Sequence, residues 1–205
     1  MERIARTGIS FVKNSYLPHL LFTLVFCLIS GGLMSFRNLE ENQAAQVMEM
    51  YVAFAGILLL TPLFLPEGNR EIWQLERSKE MPMWQLYLPR ILTARAVMAV
   101  LVSLFPYVMK QGGSTFDYGR LWAGSFVEML FLGSLGFAVS AVTNQTVLGY
   151  MLAVIYYAAN MGAGKYLGKF ALFQMMKGSY DFMGWMAAGS LILIVGSVIL
   201  RERKS

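Results

Sequence analysis

The sequence has 205 residues, of which 57% are hydrophobic and 14% are charged, and its mean hydropathy is +0.53. A soluble domain carries about a quarter charged residues, so this composition excludes an ordinary soluble domain. The net charge of +5 does not indicate nucleic-acid binding, because the Lys and Arg residues cluster beside the apolar runs, as they do at the ends of membrane spans. We therefore expect an integral membrane protein whose partners include the lipid bilayer but no nucleic acid.

The first predicted element is an amphipathic helix over residues 1–17. At the helical period, its apolar residues fall on one half of the wheel and its charged residues on the other. A helix of this kind lies in the membrane interface. Pro18 fits the first turn of a following helix, so the chain can bend there and cross the membrane. The alternative is an extended start to the first span.

Six apolar runs are long enough to cross a hydrocarbon core of about 30 Å. We place the spans at Pro18–Phe36, Val47–Leu65, Ile91–Met109, Leu121–Val142, Thr146–Ala163 and Phe182–Leu200. With both termini inside, eleven Lys and Arg residues lie on the inner side and six on the outer side, and this excess marks the cytoplasmic side. The sequence therefore predicts an all-α integral membrane fold, a single transmembrane domain over residues 1–205 with cytoplasmic termini.

A charged stretch, Pro66–Pro82, separates the second and third predicted spans and has seven charged residues in seventeen. Asn69 can cap a short helix, and Glu71 stands in its first turn. This helix should end before Pro82, because the residue before a proline avoids the α region. The pattern predicts a short cytoplasmic helix over residues 67–81, tied to spans at both ends. A solvated connecting loop is the alternative.

The connection before the sixth predicted span, residues 164–181, is too apolar for a free loop and too rich in glycine for a span. Irregular backbone at membrane depth must be covered by protein or line a wet cavity. We therefore expect one or two short interfacial or re-entrant helices here, on the outer side.

Glu128 is an unusual residue for its position, because it lies seven residues into the fourth predicted span. A charged side chain at mid-membrane costs on the order of 2.5–3.5 kcal/mol on insertion scales. Glu128 must therefore face a cavity, pair with another group or be protonated. Our hypothesis is that it faces a translocation path or a subunit interface, and the alternative is a hydrogen bond to a neighbouring span.

No catalytic or metal site is predicted from the sequence. The chain has one histidine, His19, and one cysteine, Cys27, which is too few for a multi-histidine site or a disulfide. The passage Met161–Tyr166 lacks the spacing of a phosphate-binding loop and the Ser or Thr that would bind Mg²⁺. We expect a chain that is not an enzyme by itself and that holds no cofactor.

Two passages carry a resemblance to a known family. In the charged stretch these residues are Glu67, Arg70–Glu71, Ser78, Met81–Pro82 and Arg90, although Glu71–Ile72 stands where many members have Gly-Thr. In Gly133–Tyr150 they are Ser140, Asn144 and Gln145, which follow a run of small residues at the end of the fourth span. Together with the six-span pattern, they resemble the ABC-2-type permease family, the membrane subunits of ATP-binding-cassette exporters with the type V fold.

The resemblance implies that residues 67–81 form the coupling helix that docks into a separate ATPase subunit. The residues expected at that contact are Glu71, Trp73, Leu75, Arg77 and Lys79, with Ile72 packing back on the membrane domain. It also implies a second permease subunit (the same chain or a sister chain), ATP and Mg²⁺ bound in the ATPase, and a bacterial plasma membrane. The implied function is the permease of an exporter. The alternative is a non-transporting membrane module for sensing, immunity or assembly that docks a cytosolic partner through the same helix.

Overall fold

The structure, a computed structural model, describes residues 16–33, 36–66 and 84–204. The helices of these residues are α1 (Leu17–Leu33), α2 (Glu41–Phe64), α3 (Trp84–Gln111), α4 (Tyr118–Thr143), α5 (Thr146–Ala163) and α6 (Met183–Lys204). Helices α2, α3, α4 and α6 are long and apolar enough to cross a membrane, and α1 and α5 are shorter apolar helices. The predictions of an all-α fold and of a membrane-embedded protein are thus confirmed.

Two predicted elements lie mainly or wholly outside the described residues. The interfacial helix falls on residues 1–17, of which the structure describes only the last two. The coupling helix falls on residues 67–81, within the gap between Pro66 and Trp84. Both elements remain predictions.

Local sequence signals set several of the helix ends. Pro18 is the second residue of α1, where a missing N–H costs no hydrogen bond. Asp117 precedes α4, and its Oδ1 accepts hydrogen bonds from the N–H groups of Gly119 at 2.9 Å and Arg120 at 3.2 Å. Asn144 ends α4 in the left-handed conformation, with φ 58°, so the chain can reverse directly into α5.

Three connections meet at one end of the helix bundle, which we call the cap end. The Asn38 N–H donates to the Gly112 carbonyl at 3.0 Å, and the Thr115 N–H donates to the Leu39 carbonyl at 3.0 Å. These bonds place the α1–α2 connection beside the α3–α4 connection. Residues 164–182, which we call the cap, lie at the same end, because the Tyr180 hydroxyl contacts Glu41. Successive helices therefore run in alternating directions.

The cap consists of three short turns of 3-10 helix, where the sequence predicted one or two short interfacial or re-entrant helices. Its turns of 3-10 helix are Gly164–Tyr166, Gly168–Phe170 and Met175–Lys177. Gly168 and Gly178 have φ values of 55° and 77°, which glycine adopts most easily. Gly168 separates the first turn from the second, and Gly178 follows the third. The glycine content that argues against a span is thus also what breaks up the predicted helices.

At the opposite end, α3 begins at Trp84, seven residues before the predicted third span. Pro89, just before the predicted span, therefore lies inside the helix. We call this the segment end, because residues 67–83 connect α2 to α3 there.

Helices α2 and α4 form the centre of the bundle. Buried residues make up 78% of the most apolar stretch of α2, against 39% for α3 and 22% for α6. The backbones of the two helices lie close together. A Cβ atom added at Gly56 of α2 would overlap the Met129 carbonyl oxygen of α4, and one added at Gly133 would overlap the Gly56 carbonyl oxygen. Small residues permit such close contact between membrane helices. Neither helix can move without disturbing the other.

We predict that Gly56→Ala destabilises the protein by about 1–3 kcal/mol, because the added methyl group overpacks the α2–α4 contact. The measurement is the thermal unfolding midpoint of the detergent-solubilised protein. Gly196→Ala in α6 is the matched control, since a Cβ there meets no atom within 4 Å and alanine favours a helix over glycine. Equal midpoints for the two variants would contradict the close contact.

Candidate functional site

The two ends of segment 67–83 are joined by direct contacts between α2 and α3. The Arg90 side chain of α3 donates from Nη1 to the Leu63 carbonyl of α2 at 3.2 Å, and Arg90 is only 4% exposed. The Phe64 and Tyr87 rings pack edge to face with centroids 4.9 Å apart. Aromatic pairs of this geometry stabilise beyond their buried area. The ends of α2 and α3 that flank residues 67–83 are therefore held together.

Helices α4 and α6 brace the same point through Phe64. The Phe64 ring stacks on Phe137 of α4 with centroids 4.3 Å apart. The Arg201 guanidinium of α6 lies over its other side, with Cζ 4.7 Å from the ring centre, a cation–π contact. Arg201 also donates to the Ser140 carbonyl at 3.5 Å. We call Leu63, Phe64, Tyr87, Arg90 and Arg201 the base of segment 67–83.

The residues predicted to contact an ATPase lie beyond this base. Their positions, Glu71, Trp73, Leu75, Arg77 and Lys79, fall in the segment outside the described residues. The structure describes the helix ends on either side of this segment, and the five contacts remain predictions.

Glu128, the remaining predicted site residue, is fully buried in the centre of the bundle, with no exposed surface. Its carboxyl group lies beside the carboxyl group of Glu49 on α2. The Phe173 backbone N–H also lies close, but within residues 16–33, 36–66 and 84–204 no N–H or hydroxyl reaches either Glu128 oxygen at normal hydrogen-bond geometry. We call Glu49 and Glu128 the carboxyl pair.

Glu49 belongs to a single π-helical turn, Met48–Val52, within the otherwise α-helical first part of α2. Such turns widen a helix locally and occur frequently at functional sites. Glu49 is 1% exposed. The π turn thus lies where α2 presents its buried carboxyl group to α4 and the cap.

Both oxygens of Glu49 hold the cap. Oε1 accepts a hydrogen bond from the Met175 backbone N–H at 2.6 Å, and Oε2 accepts one from the Met176 N–H at 3.0 Å. These two N–H groups open the last turn of the cap and have no partner within that turn. A carboxylate is the favoured acceptor at such a position. Glu49, which is 126 residues from Met175 in the sequence, thus caps the start of this turn.

Helix α5 supplies further contacts to the cap. Asn160 accepts a hydrogen bond at Oδ1 from the Leu172 N–H at 2.8 Å, while its Nδ2 donates to the Tyr156 carbonyl. The Tyr156 hydroxyl donates to the Phe170 carbonyl. Tyr157 donates to the Met50 carbonyl in the π turn at 2.6 Å. The cap, α5 and the π turn are therefore joined by polar contacts around the carboxyl pair.

The outer edge of the cap carries one more acid contact. The Tyr180 hydroxyl donates to Glu41 Oε1 at 3.3 Å. Burial and the nearby Glu41 carboxylate raise the pKa of Tyr180 to about 12. Tyr180 therefore remains a neutral hydrogen-bond donor at physiological pH.

The chemistry available to the carboxyl pair is that of proton or hydrogen-bond exchange. Within residues 16–33, 36–66 and 84–204, no group of three or more His, Cys, Asp or Glu side chains could hold a metal ion. Two acids in contact can share a proton, because two adjacent negative charges in a buried site strongly disfavour each other. We assign no nucleophile or general base for turnover to this site.

Glu49 is a residue that the sequence analysis missed, although the signal was present. It lies two residues into the predicted second span, where a charge costs less than at the depth of Glu128 but is still unusual. Its contact with Glu128 joins residues 79 positions apart, which no short-range pattern reveals.

No protein-family model, curated protein or solved structure matches the chain. The fold and the site define its class directly. It is an all-helical, membrane-embedded protein with a buried carboxyl pair under a cap at one end and a braced base for a charged segment at the other.

We predict that Glu49→Ala speeds amide hydrogen exchange at Met175 and Met176 by about tenfold or more, because hydrogen bonds to a charged group contribute about 1.5–3 kcal/mol. Hydrogen-exchange mass spectrometry of the cap peptides measures this. Glu202→Ala, at an exposed acid in the last turn of α6, is the control and should leave the cap unchanged. Unchanged exchange in Glu49→Ala would show that Glu49 does not hold the cap.

Proposed function

We propose that the chain is the membrane-spanning permease subunit of an ATP-binding-cassette exporter. A separate ATPase subunit binds ATP and Mg²⁺ and hydrolyses the nucleotide. A second permease subunit, the same chain or a sister chain, completes the membrane part. Substrate leaves by a path that the two permeases form together.

The topology that this proposal uses has six spans, α1 to α6, in a bacterial plasma membrane. Four of these helices are long and apolar enough to cross a membrane, and the two shorter ones run beside them in alternating directions. The segment end then carries eleven of the seventeen Lys and Arg residues, which assigns it and both termini to the cytoplasm. The cap lies on the outer side.

The braced base of segment 67–83 is the observation that carries the proposal. A charged segment that projects from a loose connection would absorb a push by bending. Here the Arg90–Leu63 hydrogen bond and the Phe64–Tyr87 contact join its two ends. A force on the segment must therefore move α2 and α3, as an ATPase-driven transporter requires.

The force would reach the centre of the bundle through α2. Phe64, at the end of α2, stacks on Phe137 of α4, and further along the same helices Gly56 and Gly133 bring the two backbones into contact. Packed helices of this kind shift between discrete arrangements because a close-packed interior does not deform continuously.

The ATPase contact is proposed for Trp73, Leu75 and Arg77, with Glu71 and Lys79 beside them. Tryptophan and arginine are among the residue types that contribute most at protein interfaces. Glu128 has a partner within its own chain, and a role for it in the translocation path stays a prediction.

We predict that the chain forms a stable complex with its cognate ATP-binding-cassette ATPase and stimulates ATP hydrolysis. The paired change Trp73→Ala with Arg77→Ala should abolish the complex, because it removes the central contacts of the docking helix. Co-purification and the rate of ATP hydrolysis are the measurements.

The control is the pair Tyr166→Ala with Arg120→Ala, an aromatic and an arginine that are exposed at the cap end. This pair should bind and stimulate the ATPase normally. Failure of the unaltered chain to bind any such ATPase would refute the proposal. A complex without stimulation would favour the alternative, a non-transporting module that docks a partner through the same segment.

A further inference from the structure

The carboxyl pair poses an electrostatic problem that the proposed transport function does not address. Glu49 and Glu128 are 1% and 0% exposed in the interior of an apolar bundle, and their carboxyl groups are in contact. Neither Glu128 oxygen receives a hydrogen bond at normal geometry from the described residues. Two buried carboxylates in contact, without a cation between them, would repel each other in a medium of low dielectric constant.

One proton on the pair removes this problem, and the hydrogen bonds indicate where it lies. Both Glu49 oxygens already accept N–H groups of the cap, so Glu49 is suited to be the ionised member. Glu128 lacks donors and is suited to be the neutral acid. Its O–H then donates to Glu49, which gives the otherwise unpartnered group its hydrogen bond.

A proton fits this site better than a metal ion does. The N–H groups of Met175 and Met176 point their positive ends at the Glu49 oxygens, where a cation would otherwise bind. Hard cations such as Ca²⁺ need about six to eight oxygen ligands, and the pair offers two carboxyl groups. A shared proton needs no ligand beyond these.

We propose that Glu49 and Glu128 share one proton, and that this proton keeps the cap closed over α2 and α4. When the proton leaves, the second negative charge repels Glu49. The carboxylate that holds the Met175 and Met176 N–H groups then moves, and the cap opens.

The packing of the cap explains why it would respond. The Met175 side chain fills the space above Gly124, one helical turn before Glu128, where even a Cβ atom would overlap its sulfur. Phe173 has a left-handed backbone conformation, φ 62°, that brings its N–H toward Glu128. The last turn of the cap thus lies directly on the carboxyl pair, and a displacement of either acid displaces that turn.

Several other titratable groups lie within electrostatic range of the pair. They are Tyr156 and Tyr157 on α5, and Lys177 and Tyr180 on the cap. Lys177 is the cation among them, and it belongs to the exposed turn that the pair holds. The tyrosines remain neutral over the range in which carboxylic acids titrate, so the carboxyl pair itself is the group whose charge changes.

The test measures opening of the cap by thiol labelling in a Cys27→Ala background. Ala171→Cys is the reporter, because Ala171 is 7% exposed beneath the cap surface, and Tyr166→Cys is the reference, because Tyr166 is 78% exposed. Both thiols ionise more as pH rises. We therefore divide the labelling rate of the Ala171→Cys thiol by that of the Tyr166→Cys thiol, and this ratio reports cap opening alone. We expect this ratio to rise by about tenfold between about pH 5 and about pH 9, the range over which buried acids lose their protons.

Two substitutions in the reporter background distinguish the roles of the acids. Glu128→Gln keeps an N–H donor toward Glu49 and cannot ionise, so the ratio should stay low and independent of pH. Glu49→Gln places an amide NH2 group, which cannot accept a hydrogen bond, against the cap N–H groups. The cap is then no longer held, so the ratio should be high at every pH. A pH-independent ratio in the parent, or the same rise with pH in Glu128→Gln, would overturn the proposal.

The infrared C=O stretch of a protonated carboxylic acid provides a measurement that needs no Glu variant. Acid-base difference spectra of the parent protein should show one buried protonated acid at neutral pH, lost at the pH where labelling rises. Absence of this band would also overturn the proposal. Neither experiment involves an ATPase. A negative result would therefore refute the shared proton without affecting the proposed permease function, and a failure to bind an ATPase would not affect the shared proton.

Discussion

The close packing of α2 against α4 is the constraint on which the rest of the structure depends. Gly56 and Gly133 bring the two backbones into contact, so no side chain separates the helices there. This contact buries α2 and forces its polar groups to find partners inside the protein. Glu49 must therefore lie against Glu128 and the cap, and the end of α2 must lie against Tyr87, Phe137 and Arg201.

Helix α2 thus makes polar contacts with the rest of the protein at each of its ends. At the cap end a carboxylate holds backbone N–H groups of an irregular outer segment. At the segment end an aromatic ring and two arginines hold the helix ends that flank residues 67–83. Because α2 is rigidly packed between them, it offers a physical route by which a force at one end reaches the other.

The sequence predicted the features that depend on local composition and failed on those that depend on distant contacts. Apolar runs predict membrane helices, and Pro18 and Asn144 lie at helix boundaries in the structure. Glu128 stood out because a charge inside a span is costly. The pairing of Glu128 with Glu49 joins residues 79 positions apart, and the capping of Met175 by Glu49 joins residues 126 positions apart, so both arise from tertiary packing. In the cap the sequence predicted short helices, and the structure has 3-10 turns, because glycine residues at positive φ interrupt a helix even where the sequence is apolar.

We propose that the base transmits a push on segment 67–83 to the bundle, and the substitution Arg90→Lys separates this transmission from docking. Lysine keeps the positive charge but has no guanidinium fork to reach the Leu63 carbonyl, so the base loosens while the docking residues stay intact. We expect the ATPase to bind this variant normally but its stimulated rate of ATP hydrolysis to fall several-fold, whereas Arg203→Lys, at an exposed residue of α6, should behave as the parent. Full stimulation in Arg90→Lys would contradict the account.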